Sequence, residues 1–380
     1  MYDVIVLGAG GVGSSALFHL ARRGVRVLGL DRFPGGHDRG SSHGDTRIIR
    51  LAYFEHPDYV PLLRRSYALW SELERIVDEL LYDEVGLLEI GPPTGEVVPG
   101  VLKSAALHGL EIERLTPAEV ARRFPGFRVP EGCEAVFERR AGYLRVEKCV
   151  LAHLRAAQAS GAEHRTGIDV RGWRSYGDHL EITTDQGPIT TRKLVITPGA
   201  WAGDLLPGVG VPWRVLLKQL YWFAPRDDRY RAGGTGCTFF YELPWGMFYG
   251  FPQVDEHGVK VAEHSGGQAA SDPLHADRSP DLVNQQRVET FLGASMPGMT
   301  RNLLRRSTCF YTMSPDGHFV VDRHPTDDRV VFCAGLSGHG FKFASALGEL
   351  LADWTLDGGS ALSADFLRAS RFIPPSSAAR

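Results

Sequence analysis

Two apolar strands on either side of a helix-forming segment begin the chain. Apolar residues occupy positions 4–7, an alanine- and leucine-rich helix is predicted up to Arg23, where Gly24 stops it, and a second apolar run at 25–30 ends on Asp31. The first turn carries three glycines in the spacing G-x-G-x-x-G, namely Gly8, Gly10 and Gly13. In a β-α-β unit such glycines let the backbone approach a pyrophosphate, and the terminal acid binds a ribose hydroxyl. The pattern predicts a dinucleotide site and leaves FAD and NAD open as its ligand.

A polar loop and a mixed run of helices and strands follow. Residues 32–45 are rich in glycine, serine, histidine and arginine, a composition typical of a functional loop. Arg47 and Arg50 come next, and a helical turn there would place both guanidinium groups on one face. Periodicity and turn signals predict an amphipathic helix at 59–73, a strand at 85–90, a helix start capped by Thr116, a helix at 146–159 ended by Gly161, and a strand at 193–197.

The segment 213–312 alternates apolar and polar residues over several short runs and is dense in aromatic residues. This pattern predicts an antiparallel sheet with one face on a core and the other on a pocket. A helix predicted from Pro280 to Leu292, with Ser279 as its cap, interrupts the strands. Alternation along the strand that leads to His264 places Lys260 on the same face as that histidine.

Another glycine-rich turn stands near the C terminus. An apolar strand at 329–334 precedes Gly335, Gly338 and Gly340, and a helix is predicted to begin near Phe343. Bare backbone at a helix N terminus attracts anions, and Lys342 adds a cation there. Taken alone, a solvated lysine in a glycine-rich loop explains the pattern equally well.

The order of these elements predicts an α/β fold with an interrupted nucleotide-binding unit. We expect a Rossmann-type FAD-binding domain with an interleaved α+β substrate domain built on a mainly antiparallel sheet. The predicted segments assign 1–83, 145–212 and 317–380 to the first domain and 84–144 and 213–316 to the second.

Composition narrows the class of protein. A chain of 380 residues, 43% apolar and with a net charge of −3, can bury two cores and favours neither a nucleic-acid nor a membrane partner. The strand at residue 4 leaves no room for a signal or transit peptide, so we expect a cytoplasmic protein. Five cysteines without a CxxC pair argue against a disulfide framework and a metal site. The tail from Pro374 to Arg380 is predicted to be disordered.

Five stretches taken together resemble one enzyme group. They are GAGGVG, SSHGDTRIIR, the pair FYGFP and VKVAEH, CFYTMSPDGHFVVD, and GLSGHGFKFASALGEL. In this order they resemble the monomeric sarcosine oxidase and N-methyltryptophan oxidase group of the D-amino-acid-oxidase-like FAD enzymes, over nearly the whole chain. The resemblance implies FAD as the cofactor. The residues that it implies for FAD binding are Gly8, Gly10, Gly13, Asp31, Ser42, His43, Thr46, Arg47, Val170, Gly199, Cys309, Gly338, Gly340 and Lys342.

The resemblance also implies a covalent flavin and a substrate site. Cys309 matches the cysteine that forms a thioether with FAD, although a lone cysteine on an apolar strand is more often inert. The implied substrate-binding residues are Arg50, Lys342, Tyr311, Tyr249 and Phe240, and the implied catalytic residues are Lys260, His264, Arg47 and Tyr249.

The chemistry of the implied residues is consistent with these roles. The guanidinium fork of Arg50 fits a carboxylate. Arg50 and Lys342 together would lower the pKa of the substrate ammonium, which favours the reactive neutral amine. Lys260 matches the lysine that promotes reaction with oxygen, and with Arg47 it would stabilise an anionic reduced flavin and superoxide. The simpler interpretation of Lys260 is a surface lysine.

The function expected from the resemblance is oxidation of a secondary amino acid, N-methylated or cyclic, to an imine, with oxygen as acceptor and hydrogen peroxide as product. Trp245, where an asparagine is expected, and Phe240, where some members carry a smaller residue, leave the side-chain specificity open. We expect a monomer that acts on small molecules. The alternatives are a flavin dehydrogenase with another acceptor, a catalytically silent FAD-binding protein, and a nicotinamide dehydrogenase, which would leave Cys309 unexplained.

Overall fold

The computed structural model of the protein describes residues 1–372, so the tail predicted to be disordered lies outside the described residues. The helices in the described part are α1 (Gly11–Ala21), α2 (Tyr59–Val77), α3 (Val97–His108), α4 (Pro117–Arg123), α5 (Val146–Ala159), α6 (Ala202–Leu205), α7 (Leu282–Ser295) and α8 (Ala344–Leu356). The strands are β1 (Tyr2–Leu7), β2 (Val27–Leu30), β3 (Thr46–Ile49), β4 (Tyr82–Asp83), β5 (Leu87–Gly91), β6 (Glu113–Leu115), β7 (Glu134–Glu138), β8 (Gly142–Arg145), β9 (Glu163–Arg165), β10 (Val170–Ser175), β11 (Leu180–Thr184), β12 (Gly187–Ile196), β13 (Arg214–Pro225), β14 (Thr238–Leu243), β15 (Gly246–Phe251), β16 (Val259–Glu263), β17 (Gln268–Ala269), β18 (Met299–Met313), β19 (Val320–His324) and β20 (Asp327–Ala334).

An eight-stranded sheet forms the nucleotide-binding part of the fold. Its parallel centre runs in the order β20-β12-β1-β2-β9, and β10, β11 and β19 add antiparallel pairings at its margins. Val4 and Val6 belong to the core beneath α1, whereas Ile5 and Leu7 belong to the core on the opposite face. A strand buried on both faces needs a continuous apolar run, which is why β1 does not alternate. The Rossmann-type prediction is confirmed.

A nine-stranded sheet forms the second part. Its order is β17-β13-β16-β15-β14-β5-β7-β6, with β18 paired to β13, and only the β14–β5 pairing in this sheet is parallel. The predicted alternation in β16 is also found. Val259 and Val261 pack in a core with α7, while Ala262 joins the aromatic cluster on the other face. The mainly antiparallel sheet is therefore confirmed.

The two sheets draw on alternating stretches of chain. The eight-stranded sheet uses residues 2–30, 163–196 and 320–334, and the nine-stranded sheet uses 87–138 and 214–313. A small antiparallel sheet, β3-β8-β4, is separate from both. We keep the five predicted segments as a proposal for the domain boundaries.

Two local predictions are wrong. Arg47 lies in β3, because residues 46–49 pair with β8, so the segment is extended and not a helical turn. Helix α7 begins at Leu282 with Asp281 as its cap, since the Asp281 carboxylate accepts a hydrogen bond from the Asn284 N–H at 2.9 Å. The predicted capping box at Thr116 is confirmed.

Candidate active site

One large cavity runs between the two sheets, from the first glycine turn to a chamber of aromatic side chains, and we call it the main cavity. Most of the predicted site residues line it. Those assigned to the cofactor are Gly8, Gly10, Gly13, Asp31, Ser42, Arg47, Val170, Gly199, Gly338, Gly340 and Lys342. Those assigned to substrate or catalysis are Arg50, Phe240, Tyr249, His264 and Tyr311.

The first glycine turn fits a dinucleotide. A Cβ on Gly8 would lie 2.4 Å from the Thr197 carbonyl oxygen and one on Gly13 would lie 1.8 Å from the Gly8 carbonyl oxygen, so packing excludes side chains at both. A Cβ on Gly10 would meet only the Ser42 hydroxyl, at 3.6 Å. No protein contact excludes a side chain at Gly10, and its bare backbone lies on the cavity, where a ligand can approach closely.

The neighbouring groups complete this end of the cavity. The Asp31 carboxylate accepts hydrogen bonds from the Ala9 N–H at 2.7 Å and the Phe33 N–H at 2.9 Å, which fixes it at the end of β2. Helix α1 begins with no side-chain cap and no acid in its first turn. An uncapped helix N terminus beside a bare turn is suited to a phosphate group.

The second glycine turn shapes the middle of the cavity. A Cβ on Gly338 would lie 2.3 Å from the Tyr311 ring and one on Gly340 would lie 2.6 Å from Leu336, so these glycines allow close packing of the turn on its neighbours. A short 3₁₀ turn, Phe341–Phe343, then leads into α8. The Lys342 ammonium donates to the His339 carbonyl at 2.6 Å and to the Tyr53 hydroxyl at 3.3 Å. Lys342 is therefore a buried cation on the cavity wall and not a solvated lysine.

A second buried cation, Arg50, stands close to Lys342. Its Nη2 donates to Glu55 at 2.5 Å, and its Nη1 lies 3.6 Å from Glu89 Oε1. Burial and the charge of Arg50 lower the pKa of Lys342 to about 7. Burial opposes ionisation of Glu55, yet Arg50 and the other nearby cations hold the pKa of Glu55 at about 2. Glu55 is thus an ionised carboxylate that itself lines the cavity and offsets part of the positive charge of Arg50 and Lys342.

The aromatic chamber is closed by Phe240, Tyr249, His264 and Tyr311. The Tyr311 hydroxyl lies 3.4 Å from the Tyr249 hydroxyl and 3.4 Å from His264 Nδ1. Burial, and secondarily the charge of Lys218, lower the pKa of His264 to about 3, so the imidazole is neutral at neutral pH. Burial raises the pKa of both tyrosines. The chamber therefore offers neutral polar groups set in an apolar wall.

Lys260 is only 2% exposed, which excludes the surface-lysine interpretation. Its ammonium donates to the carbonyl oxygens of Gly44 at 2.5 Å and Thr46 at 2.9 Å, and lies 3.4 Å from the Thr46 hydroxyl. Burial and the charge of Arg47 lower the pKa of Lys260, while the three oxygen acceptors match the three donors of an ammonium. Arg47 lines the main cavity, and Lys260 does not.

Three other predicted cofactor residues lie behind the cavity wall. Cys309 is fully buried in β18 opposite Lys218, and the next residue, Phe310, reaches the lining. His43 and Thr46 are also buried outside the lining. Trp245 does not line the cavity either. It packs on Phe248 in the hairpin between β14 and β15, so of the two predicted departures only Phe240 touches the chamber.

Comparison with known proteins decides the family. The sequence profile of the FAD dependent oxidoreductases matches residues 3–354. The chain belongs to this family. A monomeric sarcosine oxidase from Streptomyces avermitilis is 40% identical over 365 residues, which are 95% of each chain. An N-methyl-L-tryptophan oxidase from Yersinia pestis is 35% identical over 375 residues, covering 98% of this chain and 99% of the relative. The predicted resemblance is confirmed.

Solved structures of an amino acid oxidase and of a dehydrogenase share the fold. NikD, an amino acid oxidase of nikkomycin biosynthesis, superposes with a TM-score of 0.84 at 25% identity and 97% coverage of each chain. L-proline dehydrogenase from P. horikoshii superposes with a TM-score of 0.83 at 21% identity, over 98% of this chain and 97% of the neighbour. As a member of this family the chain is a flavin-dependent enzyme that acts on CH–NH donors, and its cofactor is FAD.

Several charged groups in or near the main cavity were not predicted from the sequence. Glu55 follows Arg50 in a loop, and only the fold brings its carboxylate onto that guanidinium. Glu89 and Lys218 did leave a signal, because each is a single charge inside an otherwise apolar run, LLEIG and VLLKQL. A charge in a buried strand requires a partner. Lys218 has partners in the carbonyl oxygens of residues 264–266, at 2.6 to 3.2 Å.

Proposed function

We propose that this enzyme oxidises a secondary amino acid, N-methylated or cyclic, to an imine that hydrolyses in water, with oxygen as electron acceptor and hydrogen peroxide as product. The observation that carries the proposal is the pair of buried basic side chains, Arg50 and Lys342, beside the aromatic chamber of the main cavity. The relatives named as sarcosine and N-methyl-L-tryptophan oxidases support the substrate class.

The residues on the cavity would hold FAD along its length. The bare turn at Gly10 and the N terminus of α1 would bind the pyrophosphate, and Asp31 a ribose hydroxyl. Ser42, Val170 and Gly199 would line the cofactor further along, with His43 and Thr46 behind them. We propose that Cys309 would hold FAD through a thioether to the methyl group on its benzenoid ring. The S–H and one C–H bond would be lost in this two-electron oxidation, with oxygen as the final acceptor of the electrons. When bound there, FAD would supply the two-electron oxidation of the C–N bond, with oxygen as the acceptor of the electrons.

Arg50 and Lys342 would bind the substrate carboxylate. A charge-assisted hydrogen bond contributes about 1.5–3 kcal/mol, and the arginine fork can make two. In the structure Nη2 of Arg50 already holds Glu55, so an incoming carboxylate has to compete with Glu55 for that nitrogen. We therefore expect the site to select an anionic group, because a neutral group could not replace the negative charge of Glu55 beside Arg50.

The amine would then lie in the aromatic chamber as the neutral base. The two cations disfavour a third positive charge and lower the pKa of the substrate ammonium. His264 is neutral, and with Tyr311 and Tyr249 it would orient the nitrogen through hydrogen bonds. Phe240 limits the side chain that fits, since its ring lies 5.6 Å from that of His264.

We propose that Lys260, together with Arg47, promotes the reaction with oxygen. Arg47 is half-buried and Lys260 is buried, and the Thr46 carbonyl oxygen accepts a hydrogen bond from Arg47 Nη1 at 2.8 Å and one from Lys260 at 2.9 Å. A fixed positive charge lowers the barrier to forming a superoxide anion. A flavin dehydrogenase would have no use for this arrangement, and a silent FAD-binding protein would need neither it nor the carboxylate pair.

We also propose that the enzyme works as a cytoplasmic monomer on small molecules. The net charge of −3 supports the absence of a nucleic-acid partner. Among residues 1–372, none of the helices has the length and apolar character needed to cross a bilayer. In the same residues no cluster of histidine, cysteine or acidic side chains suited to a metal ion is found.

A panel of amines tests the proposed substrate class. Peroxide release is measured with N-methylglycine, N-methyl-L-tryptophan and L-proline, each beside its matched controls. For N-methylglycine these are glycine, which lacks the secondary amine, and N-methylglycinamide, which lacks the carboxylate. We expect peroxide from at least one secondary amino acid and little from its amide. Equal rates with acid and amide, or no peroxide from any secondary amino acid, would overturn the proposal.

A further inference from the structure

The ammonium of Lys218 holds the turn that carries His264. Lys218 lies in β13 and is only 3% exposed. Its nitrogen donates hydrogen bonds to three successive backbone carbonyl oxygens, those of His264 at 3.2 Å, Ser265 at 2.6 Å and Gly266 at 2.8 Å. An ammonium has three N–H donors, so every donor of this buried cation has a partner in one turn.

The turn has few other contacts that fix its shape. Gly266 and Gly267 are exposed and have positive φ angles, 65° and 121°, a backbone with large conformational freedom. A Cβ on Gly267 would lie 2.9 Å from Lys218 Cδ, so the turn closes directly onto the lysine side chain. At the start of the turn, the His264 N–H donates to the Met247 carbonyl oxygen at 2.7 Å. The turn is therefore held between β15 and Lys218.

The charge of Lys218 is stabilised by backbone oxygens. Glu263, which precedes the turn in β16, is occupied elsewhere, because its carboxylate accepts hydrogen bonds from Arg287 Nε at 2.9 Å and Nη2 at 2.6 Å. Lys218 pairs with Cys309 across β13 and β18, and its nitrogen lies 5.4 Å from the centre of the Tyr311 ring. Burial lowers the pKa of Lys218 to about 8, although Cys309 and Glu263 act in the opposite direction. A charge that is costly to bury is thus retained behind the wall of the aromatic chamber.

The turn sets the place of the imidazole in the chamber. His264 Nδ1 lies 3.4 Å from the Tyr311 hydroxyl, and the two rings are 5.6 Å apart. A cation nearby disfavours a second positive charge, so Lys218 also helps to keep the imidazole neutral. Lys218 itself does not line the main cavity. Its influence on the chamber therefore passes through His264 and Tyr311.

We propose that Lys218 is a positioning residue for amine oxidation, which holds the turn after β16 so that the His264 imidazole faces Tyr311 and the substrate nitrogen. The proposal rests on the function proposed above, in which His264 orients the amine. Loss of Lys218 should therefore damage the amine end of the site and leave the carboxylate end, formed by Arg50 and Lys342, intact. Deprotonation of Lys218 should act in the same direction, because a neutral amine has two N–H donors for three carbonyl oxygens.

Two variants of the holoenzyme and two ligands separate the ends of the site. Lys218→Met removes the donors and the charge, whereas Lys218→Arg keeps a cation with N–H donors. Flavin reduction without oxygen is followed by stopped flow at a saturating concentration of the panel amine that reduces the wild type fastest. Binding of butanoate, in which CH₂ replaces the NH of N-methylglycine, is followed by flavin absorbance. We expect Lys218→Met to slow reduction about tenfold or more and to change the Kd of butanoate less than about twofold, whereas Lys218→Arg should recover most of the rate.

The pH profile gives a readout that general damage to the fold would not produce. In the wild type, reduction at saturating amine should rise as the bound amine loses its proton and fall above about pH 8 as Lys218 loses its own. Lys218→Arg should lack this fall, because a guanidinium stays charged throughout that range.

Lys193→Met is the matched control. Lys193 also donates to a backbone carbonyl oxygen, that of Thr355, but does not line the main cavity, so this variant should behave as the wild type does. Reduction of Lys218→Met at the wild-type rate, or equal losses of reduction and butanoate binding, would overturn the role of Lys218. So would an alkaline fall that is absent from the wild type or persists in Lys218→Arg, a comparison that decides alone if Lys218→Met does not fold. The proposed function fails separately, if no amine of the panel reduces the wild-type flavin.

Discussion

Glu89 should make the enzyme less stable as the pH rises, and Glu89→Gln should remove that effect. Glu89 is fully buried in β5, and neither of its carboxylate oxygens has a hydrogen-bond partner among the described residues. Burial raises its pKa from 4.5 to about 8, even though Arg50 nearby favours the anion. Between these two values the folded protein binds a proton that the unfolded chain releases. The contribution of Glu89 to stability is therefore complete below about pH 4.5 and is lost as the pH rises towards 8.

The magnitude follows from proton linkage. With pKa values of 4.5 in the unfolded and about 8 in the folded chain, the loss between pH 5 and pH 8.5 is at most about 4 kcal/mol. For a chain of 380 residues the entropy of unfolding is roughly 0.8 kcal/mol per degree, so this corresponds to a Tm shift of about 5 °C at most. Glutamine fills the same space without a titrating group.

Thermal unfolding of the holoenzyme at the two pH values measures this effect. We expect Tm to fall further between pH 5 and pH 8.5 in the wild type than in Glu89→Gln, by up to about 5 °C. Glu131→Gln, which removes an exposed carboxyl, should behave as the wild type does. If Tm falls equally in the wild type and Glu89→Gln, Glu89 is ionised at neutral pH in the folded protein and the reasoning is refuted.

Three further predictions concern the roles proposed for single residues. Acid-denatured wild-type protein should stay yellow after washing and Cys309→Ser should release the colour, whereas colourless wild-type pellets would exclude the thioether. Lys342→Met or Arg50→Met should weaken binding of a simple carboxylate inhibitor about tenfold or more, about 1.4 kcal/mol, as followed by flavin absorbance. Unchanged inhibitor affinity in both variants would show that other residues bind the carboxylate. Lys260→Met should slow oxidation of the reduced flavin by orders of magnitude and flavin reduction only modestly; if both slow equally, Lys260 positions other groups instead.

The dinucleotide unit was predictable because its determinants are local. Strand, turn and helix follow one another within residues 2–21, and the glycines at 8 and 13 are required by contacts within the unit or with the neighbouring β12. The shared face of Lys260 and His264 was also predictable, since it depends only on the alternation of a strand.

Other features depend on partners far along the chain. Residues 46–49 become a strand because β8, almost a hundred residues later, pairs with them. The neighbours of Arg50 come from a loop and from β5, and neither carboxylate has a local pattern that points to that guanidinium. The position of Lys260 in a second cavity depends on three separate segments around 46, 222 and 251. Such contacts are set by tertiary packing, which periodicity does not encode.

The central claim is that this FAD enzyme both accepts electrons from a secondary amino acid and returns them to oxygen, and a single-turnover measurement tests it most directly. Holoenzyme is mixed without oxygen with the best amine of the panel, the flavin absorbance is followed, and oxygen is then admitted. We predict that the flavin bleaches completely, that its colour returns on admission of oxygen, and that one hydrogen peroxide appears for each flavin. Bleaching without rapid recovery would identify a dehydrogenase, and absence of bleaching with every secondary amino acid would contradict the account as a whole.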